Sequence, residues 1–223
     1  IVNRYKNKTM DKISENIYQL IEEMDFNFTD IDTIALNSGI EETDDRRIQA
    51  LIIYVISSST FETGNTYMEY DEIKHNMLKY LQTINDEILE YNIFKLNEQR
   101  KIVIIAEKYY LKEFYEAEKY IADRVSFMND MAKTKISKLA EKIEDLEKIN
   151  QIHYDKIQTK AIKKAITNNI TIITGGPGTG KTTIIKAIVA LFKEVFQAKN
   201  TEIALLAPTG RAAKRMSETT NLY

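Results

Sequence analysis

The run Ile170-Thr171-Ile172-Ile173-Thr174 leads directly into Gly175-Gly176-Pro177-Gly178-Thr179-Gly180-Lys181-Thr182. These residues decide the reading of the chain. The β-branched pentapeptide reads as a short buried strand, and an apolar stretch from Thr182 to about Gln197 reads as a helix. The turn between them fits G-x-x-x-x-G-K-[ST], a phosphate-binding loop. Its backbone N–H groups can wrap phosphate oxygens, and the helix that follows adds the positive end of its dipole. Gly176, Pro177, Gly178, Thr179, Gly180, Lys181, Thr182 and Thr183 are therefore the expected nucleotide contacts. Lys181 and Thr182 are the expected catalytic pair. Lys181 would reach the β- and γ-phosphates and Thr182 would offer its hydroxyl to Mg²⁺.

Downstream, the pattern repeats. Glu202 to Ala207 reads as a second buried strand and Thr209 to Thr219 as a helix, with Ala207-Pro208-Thr209-Gly210-Arg211-Ala212-Ala213-Lys214-Arg215 across the junction. Strand, helix, strand, helix is the grammar of a parallel α/β sheet. The second junction is basic. Thr209 and the N–H groups of a new helix can hold phosphate, while Arg211, Lys214 and Arg215 add charge. Residues 151–223 carry 11 Lys and Arg against 4 Asp and Glu, whereas residues 1–150 carry 20 against 29. A basic end on an acidic chain points to an anionic ligand.

Upstream, breakers almost vanish. Only Gly39 and Gly64 precede Gly175, with no Pro, so residues 1–169 should be mostly helical. Met10, Ile13, Ile17, Leu20 and Met24 predict one amphipathic helix, and Asp30 to Ser38 a second that stops at Gly39. Thr43 or Asp44 caps a helix carrying Ile48, Leu51, Ile52, Val55 and Ile56 on one face. Then come a Gly64-Asn65 turn, an extended piece at Thr66 to Met68, and helices at Asp71 to Leu81 and Asn85 to Tyr91. A hairpin is expected from Ile93 to Leu96 and Ile102 to Ala106 around a turn at Asn97 to Arg100. That order is winged-helix-like. The helix that would enter a DNA groove reads Asn85, Asp86, Glu87 and Glu90, which phosphate repels, so a structural or protein-contact role is expected. Further helices are expected at Leu111 to Met128, Ile136 to Ile149 and Asp155 to Thr167. Thirteen Tyr sit mostly at helical spacing beside Ile and Leu, which predicts packing rather than base stacking.

The fold class is thus mainly α with α/β: a helical, winged-helix-like accessory domain followed by the start of a P-loop parallel sheet, which its resemblance to known motor domains makes RecA-like. Expected boundaries are 1–45 (helical segment), 46–130 (winged-helix-like), 131–169 (helical connector) and 170–223 (truncated ATPase domain). There is no Cys, hence no disulfide or zinc-thiolate chemistry. Apolar runs such as Leu51 to Ile56 are far short of a membrane span, and no secretory signal is visible, so no membrane contact and a cytoplasmic location are expected. His75 and His153 lack ligand spacing.

TGGPGTGKTT at 174–183 and LLAPTGRAAKRMSE at 205–218 resemble motifs I and Ia of superfamily 1 DNA helicases, and most of all their RecD/TraA-type branch. Gln158, with Ala161 and Ile162 after it, is similar to the Q motif of such enzymes, whose amide pairs with adenine. The stretches 28–35, 64–67 and 114–118 resemble, in part, the region between helix-hairpin-helix and motor in long RecD-like bacterial enzymes. Residues 1–45 would then be the tail of the helix-hairpin-helix region. The resemblance implies an ATP-dependent DNA helicase that translocates 5′ to 3′ on single strands, with ATP and Mg²⁺ as cofactors. It places Pro208, Thr209, Gly210 and Arg211 on single-stranded DNA. It says nothing of protein partners. Two alternatives stay open: another P-loop ATPase of DNA repair, and a non-catalytic binding module built on the winged-helix-like part.

The chain starts at Ile1 and ends at Tyr223, so it reads as a piece of a longer protein. Hydrolysis needs an acidic strand after the loop, and the acids there are only Glu194, Glu202 and Glu218. The piece alone is expected to lack ATPase and unwinding activity. Ile102-Val103-Ile104-Ile105-Ala106-Glu107 imitates an acidic strand, but it precedes the loop and reads as a hairpin arm.

Overall fold

The computed structural model describes residues 6–24 and 26–222. The part of the N-terminal segment at 1–5 lies outside the described residues. The chain divides into two compact units, Ile1–Ile121 and Ala122–Tyr223.

The first unit opens with a 3₁₀ turn at Lys6–Lys8, then α1 (Thr9–Asn16), α2 (Gln19–Met24) and α3 (Phe28–Asn37). The single helix expected over residues 10–24 is two. The Asn16 side chain accepts the Tyr18 N–H at 3.0 Å, a local bond that competes with the helical ladder and ends it. α4 (Asp45–Thr63) is capped by Asp44, which accepts the Arg46 N–H at 2.9 Å, and closes on Gly64 in the left-handed region. There follow β1 (Tyr67–Glu69), α5 (Tyr70–Met77), α6 (Asp86–Glu98), β2 (Ile102–Ile105), β3 (Lys108–Leu111) and α7 (Lys112–Asp130), which crosses the unit boundary. The strands form one antiparallel sheet in the order β1-β3-β2, with Met68 opposite Tyr109 and Ile104 also opposite Tyr109.

Helix, strand, helix, helix, hairpin is the expected element order, but the hairpin is displaced. Residues 93–96 belong to α6, and the partner of 102–105 is 108–111. The turn is Ala106-Glu107, both at positive φ (48° and 60°), as a two-residue hairpin requires. Neither residue advertises that conformation. The apolar residues 93 and 96 read as a strand arm because a short apolar run does not distinguish strand from buried helix.

The core of this unit is continuous. Phe28 and Ile31 of α3, Ile48, Leu51 and Ile52 of α4, Ile73 of α5, Leu89 and Leu96 of α6, and Ile102 of β2 belong to one buried cluster. Residues 17–37 therefore share a core with the strands and helices after residue 44. Tyr18 and Phe28 of this core stack edge and face with the half-buried Tyr54 and the more exposed Tyr80 at its border, so these tyrosines are packing residues. A buried polar network fastens α3 to α4. The Arg47 guanidinium grips Asp32 through Nε (2.8 Å) and Nη2 (2.9 Å) and also donates to the Glu42 and Tyr80 carbonyls. The Tyr18 hydroxyl donates to the same carboxylate at 2.7 Å. Burial, then the bond to Asp32, pushes the Tyr18 phenol well above its ordinary value.

The second unit contains α8 (Leu139–Asn150), α9 (Lys156–Thr167), α10 (Lys181–Phe196), a 3₁₀ turn at Asn200–Glu202 and α11 (Gly210–Thr220). Its core joins Ile143 of α8, Ile162 and Ile166 of α9, and Ile184, Ala187 and Leu191 of α10. The helices match expectation closely; the intervening extended segments do not behave as buried strands. Among the described residues, 170–174 and 203–207 have no ladder partner, and the sheet of the first unit is the one sheet formed. Ile172 is 83% exposed and Leu206 87%, while Ile173 packs against the core. A parallel strand is buried only when helices cover both its faces. Here one face is covered and the other is bare, and Glu202 belongs to the 3₁₀ turn rather than to a strand.

Removing one partner of the buried pair should be costly. Asp32→Ala is expected to destabilise the first unit by about 3 kcal/mol in chemical denaturation, because it leaves the Arg47 charge buried and unpaired. Lys12→Ala, which removes the exposed Lys12–Glu15 pair, should leave the midpoint near wild type. The raised Tyr18 value sets a second expectation. Above pH ~10 the unfolded chain loses its phenolic protons while the folded unit keeps this one, so stability falls as pH rises. In Tyr18→Phe the alkaline loss of stability should be shallower.

Candidate nucleotide-binding site

The loop from Gly175 to Gly180 reverses the chain between the extended segment and α10. Gly178 lies at φ 76° and Gly180 at φ 82°, and α10 begins at the next residue, Lys181. Gly180 is constrained twice. Its left-handed backbone suits glycine, and a Cβ there would stand 2.6 Å from the Gln158 amide nitrogen. No side chain caps the first turn of α10, and no acidic residue lies in that turn.

Lys181 folds back over the loop. Its ammonium donates to the Gly175 carbonyl at 2.6 Å and to the Gly176 carbonyl. This holds the cation inside the curve of the backbone, where phosphate oxygens would meet it. The Thr179 hydroxyl donates to the Gly176 carbonyl at 2.9 Å and closes the loop from the other side. Pro177, Thr182 and Thr183 are exposed, the two threonines on the first turn of α10. Thr182 can supply one oxygen to Mg²⁺. That suits an ion held mainly by phosphates and water, and a bound ion would neutralise phosphate charge at the loop.

Gln158, from the first turn of α9, reaches this loop. Its Nε2 donates to the Thr179 carbonyl at 3.2 Å, and its Oε1 accepts the Asp155 N–H at 3.1 Å. The Asp155 carboxylate in turn accepts the Ile157 and Gln158 N–H groups at 2.7 and 2.8 Å, completing a reciprocal cap. Behind it, Glu147 of α8 accepts the Tyr154 N–H at 2.6 Å, and Tyr154 is buried. Burial, then the Glu147 carboxylate, raises the Tyr154 phenol above its ordinary value. The sequence reading took Asp155 only as the first residue of a helix and missed its capping role, although Asp-x-x-Gln before an apolar run is the written form of such a cap.

The second junction is built differently. Thr209 is the N-cap of α11, and its hydroxyl accepts the Ala212 N–H at 3.3 Å. Pro208, Gly210 and Arg211 are exposed around it, as are Lys214 and Arg215. α11 packs on α10, but among the described residues no hydrogen bond joins these groups to the loop. The acids after the loop are placed elsewhere. Glu194 pairs with Lys142, Glu202 accepts the Lys199 N–H at 2.7 Å, and Glu218 is exposed. Among the described residues no cluster of three His, Cys, Asp or Glu could hold a metal, and no helix is long and apolar enough to cross a membrane.

Residues 158–223 match the family model of an AAA domain, beginning at Gln158, and residues 1–67 match that of the ATP-dependent RecD2 DNA helicase HHH domain. The two matches and the relatives below support a RecD-like superfamily 1 helicase. A RecBCD enzyme subunit RecD of Buchnera aphidicola is 36% identical over 118 residues, 52% of this chain and 19% of that subunit. The corresponding subunit of Haemophilus influenzae is 27% identical over 197 residues, 76% of this chain and 30% of its own length. An ATP-dependent RecD2 DNA helicase of Deinococcus radiodurans is 22% identical over 231 residues, 98% of this chain and 32% of that helicase. The chain thus spans less than a third of each of these relatives. The helix-hairpin-helix match runs to residue 67 and takes in all of α4, in keeping with the continuous core of the first unit.

Gly180→Ala is expected to destabilise the second unit by about 1–2 kcal/mol, because the new side chain meets both a left-handed backbone and Gln158. Gly176→Ala, whose Cβ would meet nothing within 4 Å, should unfold at a midpoint close to wild type. Thermal unfolding of the two variants checks the contrast.

Proposed function

We propose that this chain is the nucleotide-binding start of an ATP-dependent DNA helicase and its helical accessory domain. One observation carries the reading: Lys181 lies inside a loop shaped by two glycines at positive φ, at the uncapped N-terminus of α10. A plain strand-to-helix turn has no use for a cation held on its own carbonyls. ATP would place its phosphates in the loop and against Lys181, with Mg²⁺ on Thr182. Gln158 retains one amide N–H and one carbonyl lone pair beyond its two backbone bonds, the complement of the adenine N7 and N6 edge. Pro208, Thr209, Gly210 and Arg211 would track the backbone of single-stranded DNA, with Thr209 holding the helix start and Arg211 adding charge. In the whole protein, hydrolysis would move that strand, 5′ to 3′ by the family resemblance.

The winged-helix-like part of the first unit reads as a scaffold or protein contact. α6 presents Glu87 and Glu90 to solvent, its Asp86 is exposed but paired with Lys74 at 2.7 Å, and its one cation, Lys95, is paired with Glu98 at 3.1 Å. Such a face repels phosphate. The three acids after the loop are remote from a hydrolytic role in their present contacts, so the 223 residues alone are proposed to bind nucleotide without turning it over. DNA-stimulated phosphate release from the purified chain would sink that part.

Lys181→Ala should weaken Mg-ATP binding at least about tenfold, read by calorimetric titration, with the fold unchanged by circular dichroism. Undiminished affinity would overturn the reading. For DNA, Arg211→Ala should weaken binding of a fluorescent single strand and lower the log–log salt slope by about 0.7, as expected for one phosphate contact. Loss of residues 1–121 should leave that slope unchanged.

A further inference from the structure

We propose that Asp155 is a positioning residue for base recognition: it orients the Gln158 amide, and preference for adenine over guanine nucleotides depends on it. The inference deepens the nucleotide-binding reading and rests on it. The geometry is specific about orientation. The Gln158 Oε1 accepts the Asp155 N–H while its Nε2 donates to the Thr179 carbonyl. Turning the amide over would set donor against donor and acceptor against acceptor, so only one orientation satisfies both neighbours. The held amide then shows an incoming base one donor and one acceptor in a set order. Adenine answers with N7 and N6–H; guanine presents two acceptors, O6 and N7, and meets the fixed carbonyl with repulsion. A loosened amide can turn its NH₂ alone toward both guanine acceptors and loses the distinction.

What holds the amide is the Asp155 carboxylate, by fixing the first turn of α9. It accepts two N–H groups of that turn, one of them from Gln158 itself. The other amide bond runs to the phosphate loop, beside Gly180, where any side chain would displace it. The same side chain would therefore sense the base and steady the loop.

The test is the ratio of Mg-ATP to Mg-GTP affinity, measured by calorimetry on the 223-residue chain. Asp155→Ala should lower that ratio by about tenfold. Asp155→Ser, whose hydroxyl can accept the same N–H bonds, should restore it. If the Ala variant fails to fold, Asp155→Gly, better tolerated at a helix N-cap, carries the same expectation. A merely structural Asp155 would shift the melting temperature and weaken both nucleotides alike. Equal weakening, an unchanged ratio, or no restoration by Ser overturns the proposal. A wild-type chain that binds both nucleotides equally overturns it while the nucleotide reading stands. A wild-type chain that binds neither sinks both.

Discussion

Backbone N–H groups can surround a phosphate only where the chain carries no side chains in the way and turns through conformations that side chains disfavour. On the proposed nucleotide-binding reading, that constraint organises the second unit. It asks for glycine at 178 and 180, for a helix that starts at once at Lys181, and for a rigid support behind the loop. The support comes from α9 and α8. Glu147 holds the Tyr154 N–H, Asp155 caps α9, and Gln158 reaches from that cap to the loop carbonyl. Beneath them Ile162, Ile166, Ile184 and Leu191 are buried together, which fixes α9 against α10. The loop is polar and exposed, while Tyr154, Ile162 and Ile166 behind it belong to the buried apolar cluster.

The first unit meets a different demand. It must hold a charged group inside a core, and does so by satisfying it fully. Arg47 spends its donors on Asp32 and two carbonyls, and Asn92 is fixed between Gln49, Asp45 and the Ile88 carbonyl. Partners drawn from α3, α4 and α6 tie together segments distant in sequence. A buried charge of this kind specifies an arrangement more surely than it adds stability, because any other packing would strand it.

Much of this was legible in residues. The periodicity at Ile48, Leu51, Ile52, Val55 and Ile56 foretold α4; of the two expected caps, Thr43 and Asp44, it is Asp44 that serves, and the helix closes where the Gly64-Asn65 turn was expected. Helices α9, α10 and α11 lie within a residue or two of expectation, since each has a cap or breaker at its border. The misses have local causes. The hairpin turn uses Ala106 and Glu107, which do not announce positive φ, so its partner strand was sought on the wrong side. The break at residues 16–18 came from a side chain bonding its own backbone, invisible to a hydrophobic count. The expected burial of residues 202–207 assumed cover on two faces, and burial is a property of neighbours rather than of the strand.

By itself, the sequence determined the identity of the loop, because glycine spacing, Lys181 and Thr182 are chemical requirements written in adjacent positions. It also determined the helical character of what precedes them. Only the tertiary structure decided that Gln158 rests on the Thr179 carbonyl and that Asp32 and Arg47 meet in the first core. The reason is distance along the chain: 21 residues separate Gln158 from Thr179 and 15 separate Asp32 from Arg47. Contacts at that range are made by the packing of whole elements, which no local pattern of residue types encodes.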